Sequence, residues 1–496
     1  MKILVNWVIL LLIAVSCIDI VLEDNTILTT EELVYVSAER AFLRGRLHSL
    51  AEPGEVLGFE ISEDADFTNP IAVSTNTSVA LGAYIIRFNQ LTASTDYHGR
   101  AYVVTGDKVT YGKAISFRTL ASDLTEFYPK DAKIGDIVTI IGANFFENTR
   151  VFFGDQEAEI LNISLEYRIT TVVPDIGDQS IVDLRVVTGE EELTFEDQFE
   201  YHIGVWQKEG EFPERMQLTT PVIIEEDEDV ILGFGDLFLR KSFNERFWRI
   251  NKSTLSFTEI APPEGAAPVS EPILFGNGYC GGKLEFLKHP TLNSFESWYW
   301  DGSNWNSNGL VPFDLRAAIA LESNEEFFIV GGGLQQGPEI VPSHAIYRGD
   351  LQLNNWQQEG RNTQVDATSR LAHFVYEGDL IAQIDSVNFF RYNAQENLWS
   401  HEFRSPIEIG ELSIAAVIDG IAYVGLGREN KEILAYNLET KEIKRKNFFV
   451  GSIAERNVAH WTHNGKLYVI RTTFRGLNAV RGLPMEIWSF NPTQLK

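Results

Sequence analysis

A repeated pattern fills the second half of this chain, from Trp206 to Phe490. Six times a short apolar segment leads into a polar turn, which is followed by a Gly-rich segment and then by an aromatic one. Trp248 stands in the first aromatic segment and Trp488 in the last. The resulting period of about 48 residues is typical of β-propeller blades with several short strands each. Asn-Gly, Asp-Gly and Glu-Gly pairs at the turns indicate tight β-hairpins, so the sequence predicts a six-bladed β-propeller over residues 204–496.

The repeats resemble those of kelch propellers. That family has a pair of glycines after the second strand of a blade, and this chain has Gly281–Gly282 and Gly331–Gly333 at the same point. The family's third and fourth strands carry an aromatic residue, a polar residue and then a Trp, as Trp300–Trp305 (WDGSNW) and Tyr392–Trp399 (YNAQENLW) do here. The fourth and sixth repeats lack the glycine pair, and Ile443 replaces the second Trp of the fifth. The array therefore resembles a degenerate kelch propeller.

A segment before the first repeat is expected to close the ring. The last repeat ends at its third strand, Ile487–Asn491. Val205–Gly210 (VWQKEG) nearly copies Asn355–Gly360 (NWQQEG), which is the fourth strand of the third repeat. We therefore expect Val205–Gly210 to complete the last blade and so cover edges that would otherwise stay open.

Residues 26–120 read as a β-sandwich. They form short alternating segments without a helical period. Tyr97 and the following Arg100–Val103 resemble the tyrosine corner and the next strand of a fibronectin type III domain. A spacer role is the interpretation that this resemblance favours.

Residues 124–203 resemble an immunoglobulin-like IPT/TIG domain. The resemblance is carried by Tyr128–Pro129, Gly142–Phe145, Val151–Gly154 and Phe199–Tyr201. Such a domain binds protein, binds glycan or holds distance. The complete prediction is an all-β chain with two Ig-like β-sandwiches followed by a six-bladed kelch-type β-propeller.

Residues 1–16 read as a secretory signal. Lys2 is followed by the apolar run Trp7–Val15, which is too short to span a membrane. The small residues before Cys17 resemble the lipobox of bacterial lipoproteins, in which the Cys becomes the acylated N-terminus. This resemblance implies lipidation of Cys17, a lipidated linker over residues 17–25 and an outer-membrane anchor. Ordinary signal cleavage is the alternative.

The chain is strongly acidic, with a formal net charge of −29 at pH 7. A negative surface argues against binding of nucleic acid or of anionic membranes by the mature protein. Asp19, Glu23 and Asp24 follow the lipobox directly and resemble the export signal of surface-exposed lipoproteins in Gram-negative bacteria. We therefore expect membrane attachment through the N-terminal lipid and exposure on the cell surface.

Motifs for catalysis and for cofactors are lacking. The sequence contains no phosphate-binding loop, zinc-protease motif or Cys-x-x-Cys pair. Cys280 follows Tyr279, which invites comparison with copper-radical oxidases on kelch propellers, but a buried structural Cys is the favoured interpretation. The acidic run Glu225–Asp229 offers oxygen ligands for Ca²⁺, although a solvated turn explains it equally simply. We therefore predict no cofactor, no metal site and no enzymatic activity.

Charged residues recur shortly before the first strand of several repeats. Because first strands line the axis of a propeller, these residues are expected around one mouth of its channel. An Arg-rich mouth suits a carboxylate-bearing sugar or an acidic peptide. Hydrogen bonds from Arg to neighbouring carbonyls are the structural alternative. The candidate ligand-binding residues at this mouth are Arg215, Arg316, Arg370, Glu411 and Arg456.

Histidine and aromatic residues complete the candidate set. His373 and His460 fall just inside the predicted mouth, and Trp461 is next to His460. Trp298 and Tyr299 flank the structural Trp of the second repeat, and exposed aromatic rings are the surfaces on which sugars stack. Packing of these side chains in the blade core is the alternative.

These features favour a binding protein. The sandwiches would act as spacers, and the propeller would recognise an extracellular glycan or protein. Bacterial polysaccharide-capture lipoproteins and adhesins resemble this plan. A structural subunit of an envelope complex is the first alternative, and a sugar-modifying enzyme is the second, because kelch propellers also host such chemistry.

Overall fold

The computed structural model describes residues 27–49, 56–75, 80–237, 242–284, 292–336, 339–350, 355–361, 365–452, 454–473 and 483–495. Within these ranges the chain consists of β-strands and turns without any helix, which confirms the all-β prediction. None of the described segments is therefore a helix that could cross a membrane. The predicted signal, Cys17 and the linker of residues 17–25 lie outside the described residues. The chain divides into two compact units, of which the second comprises residues 131–133, 178–180 and 200–496.

The first sandwich packs two sheets on one core. One sheet has the order β1-β2-β5 and the other β4-β3-β6-β7, with β8 also paired to β6. Leu43 and Phe59, from different sheets, are fully buried in that core. The Tyr97 hydroxyl accepts a hydrogen bond from the Thr92 N–H at 3.1 Å, as a tyrosine corner would. The strands are β1 (Leu28–Val36), β2 (Ala41–Leu47), β3 (Val56–Ser62), β4 (Ile71–Ser74), β5 (Gly82–Phe88), β6 (Asp96–Thr105), β7 (Lys108–Tyr111) and β8 (Ile115–Arg118).

The second sandwich also has two sheets. Their orders are β10-β17-β16-β12-β13 and β14-β15-β11-β9. Val182, Leu184 and Val186 alternate with more exposed residues along one strand, so a single face is buried. The rings of Phe153 and Phe199 pack edge to face in the core, with their centroids 4.5 Å apart. The strands are β9 (Asp123–Tyr128), β10 (Asp131–Ala132), β11 (Ile137–Ala143), β12 (Arg150–Phe153), β13 (Gln156–Ala158), β14 (Ile160–Ser164), β15 (Arg168–Val172), β16 (Ile181–Thr188) and β17 (Glu191–Tyr201).

The repeats fold into six four-stranded antiparallel sheets. In chain order these are β20-β21-β24-β25, β27-β28-β30-β31, β32-β33-β36-β37, β38-β39-β40-β41, β42-β43-β44-β45 and β46-β47-β48 with β18. We call them sheets 1 to 6. Their strands, with the short strands between them, are β18 (Val205–Glu211), β19 (Leu218–Thr219), β20 (Val222–Glu225), β21 (Asp229–Gly233), β22 (Asp236–Leu237), β23 (Ser242–Phe243), β24 (Phe247–Asn251), β25 (Phe257–Ile260), β26 (Val269–Ser270), β27 (Ile273–Phe275), β28 (Gly278–Cys280), β29 (Lys283–Leu284), β30 (Glu296–Trp300), β31 (Trp305–Leu310), β32 (Ile319–Ser323), β33 (Glu326–Val330), β34 (Gly333–Gln336), β35 (Glu339–Pro342), β36 (Ala345–Asp350), β37 (Gln357–Arg361), β38 (His373–Tyr376), β39 (Asp379–Gln383), β40 (Asn388–Asn393), β41 (Leu398–Arg404), β42 (Ile414–Ile418), β43 (Ile421–Gly425), β44 (Ile433–Asn437), β45 (Ile443–Arg445), β46 (Glu455–His463), β47 (Lys466–Thr473) and β48 (Glu486–Asn491).

The turns between first and second strands have the predicted hairpin chemistry. In sheet 5, Asp419 and Gly420 have φ values of 49° and 75°, and in sheet 6 Asn464 and Gly465 have 49° and 70°. Two central residues with positive φ define the type I′ turn, which matches the twist of the flanking strands. The sequence pairs therefore fix the register of these hairpins locally.

The predicted closing strand is present. β18 pairs antiparallel with β48, so Trp206 lies opposite Phe490. The two rings stack with their centroids 4.7 Å apart, and Trp206 is buried. Sheet 6 thus combines the last three strands of the chain with a strand that precedes sheet 1.

Each sheet contacts the next one in chain order, and sheet 6 contacts the segment that leads into sheet 1. β20 contacts β27, β27 contacts β32, β32 contacts β39, β38 contacts β42, and β42 contacts β46. β46 also contacts β19, which leads into sheet 1. The Gln217 side chain adds a hydrogen bond to the Leu483 carbonyl, at 3.0 Å, between the same two parts of the chain. The six sheets are therefore neighbours in a cyclic order.

Candidate functional site

A set of strained turns connects the sheets near their first strands. Positive φ values occur at Thr220 (44°), Glu271 (54°), Ala317 (50°) and Leu412 (56°). Positive φ is uncommon for residues other than Gly, above all for the β-branched Thr, and such strain clusters at functional sites. Hydrogen bonds join these turns: Glu271 N–H to the Thr220 carbonyl (3.1 Å), Ala317 N–H to the Glu271 carbonyl (2.8 Å), Ser369 N–H to the Ala317 carbonyl (2.8 Å) and Leu412 N–H to the Arg370 carbonyl (2.7 Å). We call these linked turns the ring mouth.

A cavity of about 490 Å³ opens beside the ring mouth. Its charged wall contains Glu271, Arg316, Arg370 and Glu411, so three of the predicted mouth residues come together there. Apolar side chains, including Ile340, complete the wall. A volume of this size lies within the range of about 300–1,000 Å³ that is usual for ligand pockets. We call this space the outer cavity.

Glu271 holds both arginines by ion pairs. Arg316 Nε lies 3.3 Å from Glu271 Oε2 but has no hydrogen-bond partner, so the contact is electrostatic. Arg370 Nη1 lies 3.9 Å from Glu271 Oε1, and Arg370 Nη2 lies 3.7 Å from Glu411 Oε2. Both Arg370 distances exceed hydrogen-bond length. The Arg370 side chain is 44% exposed, and these distances leave its N–H groups able to donate to a ligand.

The described lining of the outer cavity carries more negative than positive charge. Asp366 and Asp385 join Glu271 and Glu411, so four carboxylates face two guanidinium groups. Asp366 Oδ1 lies 2.6 Å from His344 Nε2. Asp385 accepts hydrogen bonds from backbone N–H groups of its own loop, at 2.7 and 2.8 Å. The expected mostly positive mouth is thereby corrected, because the acidic residues of the neighbouring loops were not included in that prediction.

A second cavity of about 200 Å³ continues inward from the first. Glu271 and Arg370 line both spaces, which we therefore treat as connected. The inner chamber has largely apolar walls, and the predicted residues His373 and His460 line it. Burial lowers the pKa of both imidazoles, and for His460 the nearby His373 lowers the pKa further. Both side chains are therefore neutral at neutral pH.

Arg456 and Arg215 lie outside the lining of the two cavities. Arg456 is the second residue of β46 and is partly buried. Burial lowers the pKa of its guanidinium. Charges of Arg428 and Glu411 also act on it, which places Arg456 near the same edge of the cavity. Arg215 is exposed in the segment before β19. The structure thus extends the cluster toward Arg456 but not to Arg215.

The aromatic candidates do not reach the cavities. Trp461 is 1% exposed, and its ring stacks on that of Tyr468 with the centroids 5.6 Å apart. Neighbours on a strand point to opposite faces, so Trp461 enters the core while His460 faces the chamber. Trp298 donates from Nε1 to Glu296 Oε2 at 3.1 Å, and Tyr299 beside it is partly buried in the same strand. Trp461 therefore offers no surface to a ligand, and Trp298 and Tyr299 stand apart from the outer cavity.

Sequence reasoning missed two residues that organise the site. In the second repeat, Val269–Ser270 occupy the position at which other repeats have Arg316, Arg370 or Arg456. Glu271 is the next residue, so the spacing of the repeats pointed one residue short of it. Gln383 has no exposed surface and donates from Nε2 to the Asp385 carbonyl at 2.7 Å. Its Oε1 accepts the Ser413 hydroxyl at 2.7 Å. A polar residue directly after the apolar run Leu380–Ala382 was the available signal for Gln383.

The described residues contain no group of three or more His, Cys, Asp or Glu side chains arranged for a metal. Glu225, in the acidic run, lies 2.9 Å from Lys252 Nζ. Cys280 is buried in β28, and burial raises the pKa of its thiol. A protonated buried thiol packs as a small apolar group, as the sequence suggested.

Comparison with known proteins identifies one part of the chain. Residues 123–202 match the family model of the IPT/TIG domain, which confirms the prediction for the second sandwich. No curated protein matches the chain. A crystal structure of a structural genomics protein of unknown function from Bacteroides thetaiotaomicron is similar over 74% of this chain and 97% of its own, with 10% identity and a TM-score of 0.36.

Proposed function

We propose that sheets 1 to 6 are the blades of a six-bladed kelch-type β-propeller. The cyclic order of their contacts, the closing strand β18 and the type I′ turns support this assignment. The aromatic residues that define the repeat, such as Trp300 and Tyr392, fall in the third strand of their sheets. Residues 26–120 form the fibronectin type III-like spacer in this proposal, with Tyr97 at its corner.

The protein's proposed role is ligand binding at the cell surface of a Gram-negative bacterium. Lipidation of Cys17 anchors the chain in the outer membrane, the two sandwiches act as spacers, and the propeller meets an extracellular glycan or protein partner. The observation that carries this role is the outer cavity, where Arg370 and Glu411 offer a donor and an acceptor beside each other. A glycan is the favoured ligand, because sugar hydroxyls both donate and accept hydrogen bonds.

The binding experiment probes glycan and protein arrays with the mature chain. Ser386 is exposed and lines the outer cavity, so Ser386→Trp should fill the opening and remove binding. Ser303→Trp, in an exposed turn of sheet 2 outside both cavities, is the matched control and should bind normally. Equal binding by the two variants would show that the outer cavity is not the site.

The anchoring experiment is the substitution Cys17→Ser. It should move the protein from the membrane fraction to the soluble fraction, because several buried acyl CH₂ groups at ~0.8 kcal/mol each are lost. A variant that stays with membranes after a high-salt wash rules out lipid anchoring.

A further inference from the structure

Two imidazoles in the lining of the inner chamber, those of His373 and His460, each keep one ring nitrogen as a hydrogen-bond acceptor. His373 Nδ1 lies 2.8 Å from the Leu371 carbonyl, and His460 Nε2 lies 3.0 Å from the Ala415 carbonyl. A carbonyl only accepts, so the proton is on Nδ1 of His373 and on Nε2 of His460. The opposite nitrogens, His373 Nε2 and His460 Nδ1, therefore carry lone pairs. Neither nitrogen has a hydrogen-bond donor in the described part of the chain.

Among the other polar side chains of the chamber, those of Asn457 and Ser413 are already engaged, while the hydroxyls of Thr220 and Ser369 can both donate and accept. Asn457 donates to the carbonyls of Leu412 and Leu426, at 2.8 and 2.7 Å, and accepts from Arg471 at 2.7 Å. Ser413 donates to Gln383. The chamber thus offers two imidazole acceptors and two hydroxyls within largely apolar walls, and the charged side chains of its described lining, Glu271 and Arg370, also line the outer cavity.

A carboxylate, an ammonium and a hydroxyl interact differently with these imidazole acceptors. A carboxylate brings further acceptors and finds no partner at the imidazoles. An ammonium brings donors, but its desolvation costs several kcal/mol, and Glu271, the carboxylate in the described lining of the chamber, already holds Arg316 and Arg370. A hydroxyl also donates, and its transfer costs only about 1–3 kcal/mol, which two hydrogen bonds can offset. The same burial that keeps His373 and His460 uncharged acts against an ammonium.

We propose that the inner chamber is a subsite for an uncharged, hydroxyl-bearing group, such as the terminal residue of a neutral glycan. His373 Nε2 and His460 Nδ1 accept hydrogen bonds from its hydroxyls, while Arg370 and Glu411 contact the part that remains in the outer cavity. This inference rests on the proposed binding function and specifies the class of ligand. It reverses the expectation of an acidic sugar, because the outer lining is net negative and the chamber supplies acceptors.

The test uses matched sets of probes with the mature chain. Glucose, galactose and mannose are each compared, by calorimetry, with their 2-amino and uronic acid analogues. At least one neutral hexose should bind at least about 10-fold more tightly than both of its charged analogues, which corresponds to about 1.4 kcal/mol. Failure of all three neutral hexoses to bind, or tighter binding of a charged analogue, overturns the proposal.

Variants of the two histidines test whether the hexose binds in the inner chamber. His373→Phe and His460→Phe should each weaken hexose binding about 10-fold, because each removes one acceptor from a largely apolar chamber. His463→Phe is the control, because His463 is three residues beyond His460 in β46 and its ring contacts Ser253 instead. His460→Gln, which keeps an acceptor and a donor, should recover part of the affinity. Unchanged binding in both Phe variants overturns the subsite.

Imidazole ¹⁵N spectra give a readout that does not depend on variant folding. Hexose binding should shift the signals of His373 Nε2 and His460 Nδ1, the nitrogens that accept, while the protonated nitrogens move less. If a ligand binds and Ser386→Trp removes it while these two signals stay fixed, the binding function holds and the subsite is wrong. If no array ligand or hexose binds at all, both proposals fail together.

Discussion

Two carboxylates of the repeat region each hold two cationic side chains, yet they differ in how tightly they do so. Glu402, on β41, accepts hydrogen bonds from Arg391 Nε, Lys441 Nζ and the Tyr436 hydroxyl, all at 2.8 Å. Glu271, at the ring mouth, lies 3.3 to 3.9 Å from the nitrogens of Arg316 and Arg370. The first cluster is a closed network, and the second borders a cavity.

The difference shows how one type of interaction serves two purposes. Lys441 and Tyr436 belong to sheet 5, so the Glu402 network ties sheet 4 to its neighbour and uses up the hydrogen-bonding capacity of the carboxylate. Arg370 is held by charge attraction to Glu271 and Glu411, at 3.9 and 3.7 Å. This attraction orients the guanidinium without hydrogen bonds to its N–H groups. Short contacts therefore mark an architectural cluster, and long contacts around a cavity mark a binding cluster.

The largest effect is expected for Glu402→Gln. It removes the carboxylate that Arg391 and Lys441 share, although Arg391 keeps Asp379 at 3.0 Å, and should lower the free energy of unfolding by about 2 kcal/mol. Urea unfolding followed by tryptophan fluorescence measures this in the repeats, because every tryptophan except Trp7 lies between Trp206 and Trp488. Glu396→Gln, in an exposed turn of the same sheet, is the control. A loss of less than about 0.5 kcal/mol would place Glu402 with the ordinary surface ion pairs.

The Glu402 network should also fail in acid. Burial raises the pKa of this carboxyl, but the hydrogen bonds from Arg391, Lys441 and Tyr436 outweigh burial and lower it from 4.5 to about 2. A depressed folded-state pKa stabilises the fold above the unfolded value, and this contribution is lost as pH falls from about 4.5 towards 2. The stability difference between wild type and Glu402→Gln should therefore shrink between about pH 6 and about pH 3. A constant difference over that range contradicts the assignment.

The strands around both clusters, and part of the cluster at the ring mouth, were readable from the sequence. The period, the Gly-containing turns and the copy of a fourth strand at Val205–Gly210 lead to the sheets and to the closing strand, because these signals are local. The same register leads to Arg316, Arg370 and Glu411. Asp366 and Asp385 stand in connecting loops that no repeat position defines, so the sign of the cavity's charge could not be predicted. Trp461 was misplaced because its neighbour His460 faces the chamber and strand alternation turns Trp461 into the core.

Arg370→Gln should show the reverse of the Glu402 result. Its contacts are longer than hydrogen bonds and its side chain is 44% exposed, so stability should change by less than about 0.5 kcal/mol. Affinity for a ligand found on the arrays should fall about 10-fold or more, since a hydrogen bond to a charged group contributes about 1.5–3 kcal/mol. Arg348→Gln is a matched control with the same exposure, but its partners are Glu326 and Glu359. Equal affinities of the two variants would assign Arg370 to architecture.

Glu271→Gln should have the smallest effect and the one that separates the two clusters most clearly. Arg316 is only 12% exposed and loses its nearest anion, so stability should fall by about 1 kcal/mol, less than for Glu402. The lining also loses one negative charge, and a unit charge at 4 Å in water is worth about 1 kcal/mol. The affinity for glucuronic acid relative to glucose should therefore rise by roughly 3- to 5-fold in this variant, while Glu402→Gln leaves that ratio unchanged. Calorimetry with both sugars measures the ratio. A ratio that does not move in Glu271→Gln would mean that the carboxylates of the outer cavity do not select the charge of the ligand.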